Sequence, residues 1–170
     1  MSKIYKAEVK DIPKIQNLAK ITWPITFKDI LSPPQLEYMV NKMYSTQELW
    51  HQIEGGKIFF WIAEIEKAFS GFMSYELHSP NQSHIKIHKL YIHPTAQGKG
   101  LGKELLKKLE EFGKVQGFEN LTLNVNKYNL PAINFYKKQG FIKVKEEIIP
   151  IGNGYIMDDY VYSKKISAKD

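Results

Sequence analysis

The chain of 170 residues contains no cysteine and no arginine. Without cysteine it can form no disulfide, offer no thiol nucleophile and build no thiolate zinc site. No metal is expected, and a reducing cytoplasm suits such a composition. Without arginine it lacks the usual reader of guanine edges, so no specific nucleic-acid partner is expected. Long apolar runs are also missing: none approaches the ~18–20 residues of a membrane span. The opening "MSKIYKAEVKDIPK" has no apolar centre of the signal-peptide kind. These absences point to a cytoplasmic protein without a membrane partner. Repeats, low-complexity segments and long linkers are absent too, so one domain over residues 1–170 is the expectation.

What is present is ordinary for a soluble globular protein: 43% hydrophobic and 25% charged residues. The formal charge is +6, but the lysines are mixed with glutamates along the chain. That reads as a mildly basic, solvated surface, compatible with an anionic ligand.

Periodicity and punctuation give the element order. "KIYKAEV" alternates like a strand. Asp11 reads as the cap of a helix running to about Ile21, with Pro13 in its first turn. Ser32 caps a second helix in "SPPQLEYMVNKMYS", with Leu36, Met39, Val40 and Met43 as its apolar face. "TQELWHQIEGG" is a third, closed by Gly55 and Gly56. Three strands follow in "KIFFWIAEIE", "FSGFMSYEL" and "HIKIHKLYIH", with turns at "KAF" and "SPNQS". A helix from about Gly100 to Gln116 comes next, with Leu101, Leu105, Leu109 and Phe112 at helical spacing. "NLTLNVN" is a strand and "LPAINFYKKQG" a short helix. "FIKVKEEIIPI" and "GYIMDDYVYSKKI" close the chain as a hairpin over Gly152 and Gly154. The order β-α-α-α-β-β-β-α-β-α-β-β is that of an α/β domain with a mixed sheet.

Gly98, Gly100 and Gly102 stand between a strand and a helix. Bare backbone there can turn tightly and admit a ligand, and the first helical amides favour an anion such as a phosphate. The P-loop and dinucleotide patterns are both excluded, because Gly98 has no glycine five residues on and position 103 is Lys.

With its flanks, "Gln97-Gly98-Lys99-Gly100-Leu101-Gly102" resembles the Q/R-x-x-G-x-G/A signature of the GCN5-related N-acetyltransferase (GNAT) superfamily. "LYIHP" upstream and "NKYNLPAINFYKKQGF" downstream extend the likeness over essentially the whole chain. The two ends are most similar to the PaiA-type subgroup, which acetylates spermidine and spermine. The resemblance implies the GNAT fold, a mixed and mostly antiparallel sheet of six to seven strands with four to five helices. It also implies transfer of an acetyl group from acetyl-CoA to a primary amine by direct attack in a ternary complex. A small-molecule amine acceptor, a polyamine first, is the expected partner; the oligomeric state stays open, a homodimer included.

On the same resemblance, amides of Gln97, Gly98, Lys99, Gly100, Leu101 and Gly102 wrap the pyrophosphate, and Lys99, Lys103 and Lys138 add charge. The two flanking lysines have a solvated alternative. The backbone of Leu90, Tyr91 and Ile92 pairs with the pantetheine arm, with the Ile92 amide toward the thioester carbonyl. Asn129 contacts the same arm, its alternative being a plain helix cap. Tyr136 is the acid for the departing sulfur, its alternative being an amphipathic core tyrosine beside a buried Phe135. The usual glutamate base is replaced by Lys86, so His88, expected on one strand face with positions 86 and 90, and Glu76 are the candidates, with a base acting through water as a further option; His88 has the alternative of a strand histidine without a catalytic role, and Glu76 that of binding a cationic acceptor. His84 and His93 have less claim. Trp23, Phe27, Asp29, Glu37 and Tyr38 fall where the family builds its acceptor wall, although packing accounts for each of them singly. A non-catalytic acyl-CoA sensor, or an enzyme acting on a peptide or protein amine, are the alternative functions.

Overall fold

The computed structural model describes residues 1–78 and 83–166. Seven strands and five helices alternate along it: β1 (Ser2–Lys6), α1 (Ile12–Phe27), α2 (Pro33–Met43), α3 (Thr46–Glu54), β2 (Ile58–Ile65), β3 (Ala68–His78), β4 (His84–Ile92), α4 (Leu101–Gln116), β5 (Asn120–Asn126), α5 (Leu130–Lys138), β6 (Ile142–Gly152) and β7 (Tyr155–Lys165). The strands form one sheet in the order β1-β2-β3-β4-β5-β7-β6. Hairpin neighbours β2–β3 and β6–β7 pair antiparallel, whereas β4 and β5 are parallel. A parallel pair needs a crossover, and α4 supplies it. This is the α/β architecture, mixed sheet and element order read from the sequence. The expected turn at "SPNQS" lies largely outside the described residues.

Three local readings need correction. First, α1 runs past Ile21 to Phe27 with Pro24 inside it. An interior proline costs about 3 kcal/mol. The apolar period nevertheless continues to Trp23 and Phe27, both buried, and each such side chain contributes roughly 1.5–3 kcal/mol or more. Burial therefore outweighs the lost hydrogen bond. Second, Asp11 holds the N-cap position of α1 as expected, but its side chain makes no cap bond to that helix; its carboxylate accepts from the Glu8 amide at 2.9 Å, within the short 3-10 turn Val9–Asp11. Third, the β2–β3 turn is Glu66-Lys67, one residue ahead of "KAF". Both have positive φ, 50° and 68°, the geometry whose twist matches that of a two-residue hairpin.

The chain divides into two compact units, Met1–Glu76 with His88–Lys108, and Leu77–Ile87 with the chain from Leu109 onward. In the first, α1 and α3 bury Ile15, Leu18 and Leu49 and the sheet buries Phe60, Ile62 and Phe72. In the second, β5 alternates cleanly: Leu121, Leu123 and Val125 are buried while Thr122, Asn124 and Asn126 are half-buried. Asn124 donates to Glu147 at 2.9 Å and to Asp159 at 3.4 Å. Burial raises the Asp159 carboxyl, with the Asn124 hydrogen bond and the nearby Lys86 charge acting against it. Lys86 thus lies near carboxylates, its charge felt by both Glu147 and Asp159.

Candidate active site

The strand-to-helix turn belongs to the first unit. After Ile92 the chain makes a 3-10 turn over Pro94–Ala96, capped by His93, whose ring accepts from the Thr95 amide at 3.2 Å. That leaves His93 a structural role. The Gln97 carboxamide reaches back to donate to the Ile92 carbonyl at 3.3 Å. Gly98 and Gly100 follow with φ of 77° and 82°, values that L side chains rarely adopt. A β-carbon on either would meet no protein atom within 4 Å. Packing therefore does not demand the glycines; the space beside them is open. The Gly100 carbonyl accepts the first helical bond, from Glu104 at 3.0 Å, so α4 starts directly at the turn. Its leading amides have no partner within the helix and sit at the positive end of the dipole. Lys99 and Lys103 are exposed beside them. Open cradle, helix N-terminus and flanking lysines fit the diphosphate of an acetyl-CoA molecule.

On the sheet side, His88 and Glu76 come together: the imidazole Nε2 lies 2.8 Å from the Glu76 Oε2. The sequence offered them as alternatives; the structure makes them a pair. A carboxylate at that distance favours a hydrogen on Nε2.

The expectation that His88 shares a face with Leu90 does not hold. A β-carbon on Gly71 would lie 2.9 Å from the Ile92 side chain, so Ile92, and Leu90 with it by alternation, face the Gly71 side of β3. Tyr91 packs on the opposite side against Phe72, with ring centroids 5.9 Å apart. Lys89 reaches that same side, 5.5 Å from the Phe60 ring centroid. Phe60 pairs with Ser74 and Ile58 with Glu76, so Glu76 shares Phe60's face. His88 and Lys89, consecutive residues, thus both reach one face, and alternation in β4 breaks between them. A break of this kind is what a bulge produces.

Lys89 is the residue that the sequence reading passed over. It is 6% exposed, with its ammonium 5.1 Å from the Tyr44 ring centroid and 3.4 Å from the Gln52 Oε1. Burial lowers it to about 8, with the Glu48 charge acting against that. A lysine two residues from Ile87 and from Tyr91 was the available signal, since its neighbours at that spacing are apolar or aromatic.

Of the acceptor-wall candidates, Trp23 and Phe27 are core residues with their rings tilted at 42° and centroids 4.6 Å apart, and the Trp23 Nε1 donates to the Tyr44 hydroxyl at 3.1 Å. Asp29 and Glu37 are exposed and Tyr38 is half-buried.

The second unit carries Asn129, Tyr136 and Lys138. Asn129 is the cap of α5, its side chain accepting from the Ala132 amide at 3.3 Å. Tyr136, not Phe135, is the buried aromatic of this helix, because Ile133 and Tyr136 are three apart on its inner face. The Tyr136 ring meets Phe135 and Phe141 edge-on at 5.2 and 5.6 Å. Burial raises its phenol well above the ordinary value of 10.0, so it holds its proton at neutral pH. Lys138 is exposed in the last turn. His84 stacks on His78 at 4.5 Å. Among the described residues no group of three or more His, Asp or Glu is placed to hold a metal, and no helix is long and apolar enough to cross a membrane.

Known proteins bear on this arrangement. The chain is 26% identical over 159 residues to the spermidine N(1)-acetyltransferase of Thermoplasma acidophilum, covering 91% of this chain and 94% of the relative. It is 24% identical to an uncharacterized N-acetyltransferase of Lactobacillus delbrueckii subsp. lactis, over 89% and 90%. Among solved structures, PaiA N-acetyltransferase from Thermoplasma acidophilum in complex with coenzyme A superposes with a TM-score of 0.81 at 24% identity, covering 97% of this chain and 99% of that one. The profile of the acetyltransferase (GNAT) family matches residues 15–141. The chain belongs to the acetyltransferase (GNAT) family, whose enzymes move an acetyl group from acetyl-CoA to an amine.

Proposed function

We propose that this protein acetylates a primary amine of a polyamine such as spermidine or spermine, in the cytoplasm, as one domain. The likeness to a spermidine N(1)-acetyltransferase across nine-tenths of both chains carries the reading. Acetyl-CoA supplies a thioester activated for attack. Its diphosphate lies on the amides of the Gln97–Gly102 turn, with Lys99, Lys103 and Lys138 adding charge. The backbone of Leu90, Tyr91 and Ile92 holds the pantetheine arm as an added strand, and the Ile92 amide donates to the carbonyl oxygen where negative charge grows. Asn129, whose oxygen is engaged as a cap, has its amide nitrogen for the same arm.

The acceptor arrives as an ammonium and must lose a proton before it attacks. His88 takes that proton, directly or through water, while Glu76 stabilises the resulting imidazolium. Tyr136 gives its proton to the departing sulfur. Burial keeps that phenol protonated at neutral pH, so the proton is in place when the sulfur departs, although the same rise makes it a weaker acid.

The test is a comparison of kcat/KM over spermidine, spermine, a lysine-bearing peptide and an aminoglycoside. The reading expects the polyamines to lead by at least about tenfold. A peptide or aminoglycoside in front removes the polyamine assignment and leaves the family chemistry in place.

A further inference from the structure

Lys89 is a buried cation that the chemistry above does not use. Its surroundings are the Tyr44 and Phe60 rings, the Gln52 carboxamide oxygen, and Glu48 felt through space. Gln52 is itself oriented, since its Nε2 donates to Glu48 Oε1 at 2.7 Å. Tyr44 is oriented by the Trp23 indole and is hydrogen-bonded to Tyr91. The ammonium therefore sits in a socket whose walls come from α3, β2 and the residue after α2. An apolar side chain would fill such a socket without the desolvation cost. What a lysine adds is a directed tie from β4 to α3, at the point where alternation in β4 breaks.

We propose that Lys89 is a positioning residue: its ammonium, clasped by Tyr44 and Phe60 and tied to Gln52, holds the break in β4 that turns His88 onto Glu76. Relaxation of β4 to regular alternation would carry His88 to the other face, away from Glu76. The charge on Lys89 acts on the reaction only through His88. This inference rests on His88 and Glu76 forming the base pair.

The experiment reads the His88 ring by NMR across pH, without acceptor, in the wild type, Lys89→Met and Gln52→Leu, with His88→Gln assigning the signal. A carboxylate at hydrogen-bond distance favours the charged ring. Lys89→Met should therefore move the His88 midpoint down toward the unperturbed value of about 6.5, and Gln52→Leu should move it the same way by less. Turnover should fall about 10–100-fold with the KM for acetyl-CoA unchanged. An unchanged His88 midpoint in Lys89→Met overturns the proposal. So does a rise, which is the result of removing a neighbouring positive charge and nothing else. Should Lys89→Met not fold, Gln52→Leu decides by the same readout, and an unmoved midpoint there overturns it. Because the NMR reading needs no turnover, full activity in His88→Gln would sink the base assignment alone.

Discussion

The Nε2 of His88 stands 2.8 Å from the Glu76 carboxylate, across the two neighbouring strands β4 and β3. A histidine so held has its orientation set, which is what a general base requires.

His88→Gln should remove the neutral-pH limb of the rate profile and leave one governed by the amine itself, nearer 9–10. Turnover at pH 7 should fall about 10²–10⁴-fold. Glu76→Gln should lower turnover by less and leave KM for the amine near the wild-type value. A rise in that KM with turnover kept would make Glu76 an acceptor contact. Initial rates from pH 6 to 10 check both.

The glycine turn predicts a selective loss of coenzyme. Gly100 is unsuitable for the test, since its φ of 82° would strain a branched side chain. Gly102 lies inside α4, where an L residue fits the backbone. Gly102→Val should weaken acetyl-CoA binding at least about tenfold with little change in Tm. Calorimetric titration beside a thermal melt distinguishes this from general destabilisation.

Tyr136→Phe keeps the ring contacts with Phe135 and Phe141 and removes only the hydroxyl. Acetyl-CoA affinity should hold while turnover falls about 10²–10⁴-fold. A loss below about threefold, with chemistry rate-limiting, would show that another group protonates the sulfur.

Lys89 makes a stability prediction with a defined sign. Its ammonium drops from an ordinary 10.5 to about 8 in the folded protein. Below pH 8 both states are protonated and the folded state carries the whole cost, about 3 kcal/mol at about 1.4 kcal/mol for each pH unit. Between pH 8 and 10.5 the folded state loses its proton first, so stability from this group rises. Lys89→Met should be more stable than the wild type at pH 7, and the gap should close toward pH 10. Urea unfolding of both proteins at the two pH values measures it.

Element order, sheet class and the turn at Gly98–Gly102 were legible because each rests on local signals: alternation, caps and glycines between a strand and a helix. Tertiary packing set what was not. Burial of Trp23 and Phe27 carried α1 across Pro24, which local propensity places at a boundary. The helical phase of Ile133 chose Tyr136 over Phe135 for the interior. The break in β4 was invisible because strict alternation is the only register that sequence can assume; it moved His88 to Glu76's side and buried Lys89. The His88–Glu76 pair itself needed the alignment of two strands, which no motif in this chain encodes.

The most direct test of polyamine acetylation follows free coenzyme A thiol and product mass together, with acetyl-CoA and spermidine. The account predicts thiol release matched one-to-one by monoacetylated spermidine, and neither above background in Tyr136→Phe. Binding of acetyl-CoA with no thiol released for spermidine or spermine would contradict it.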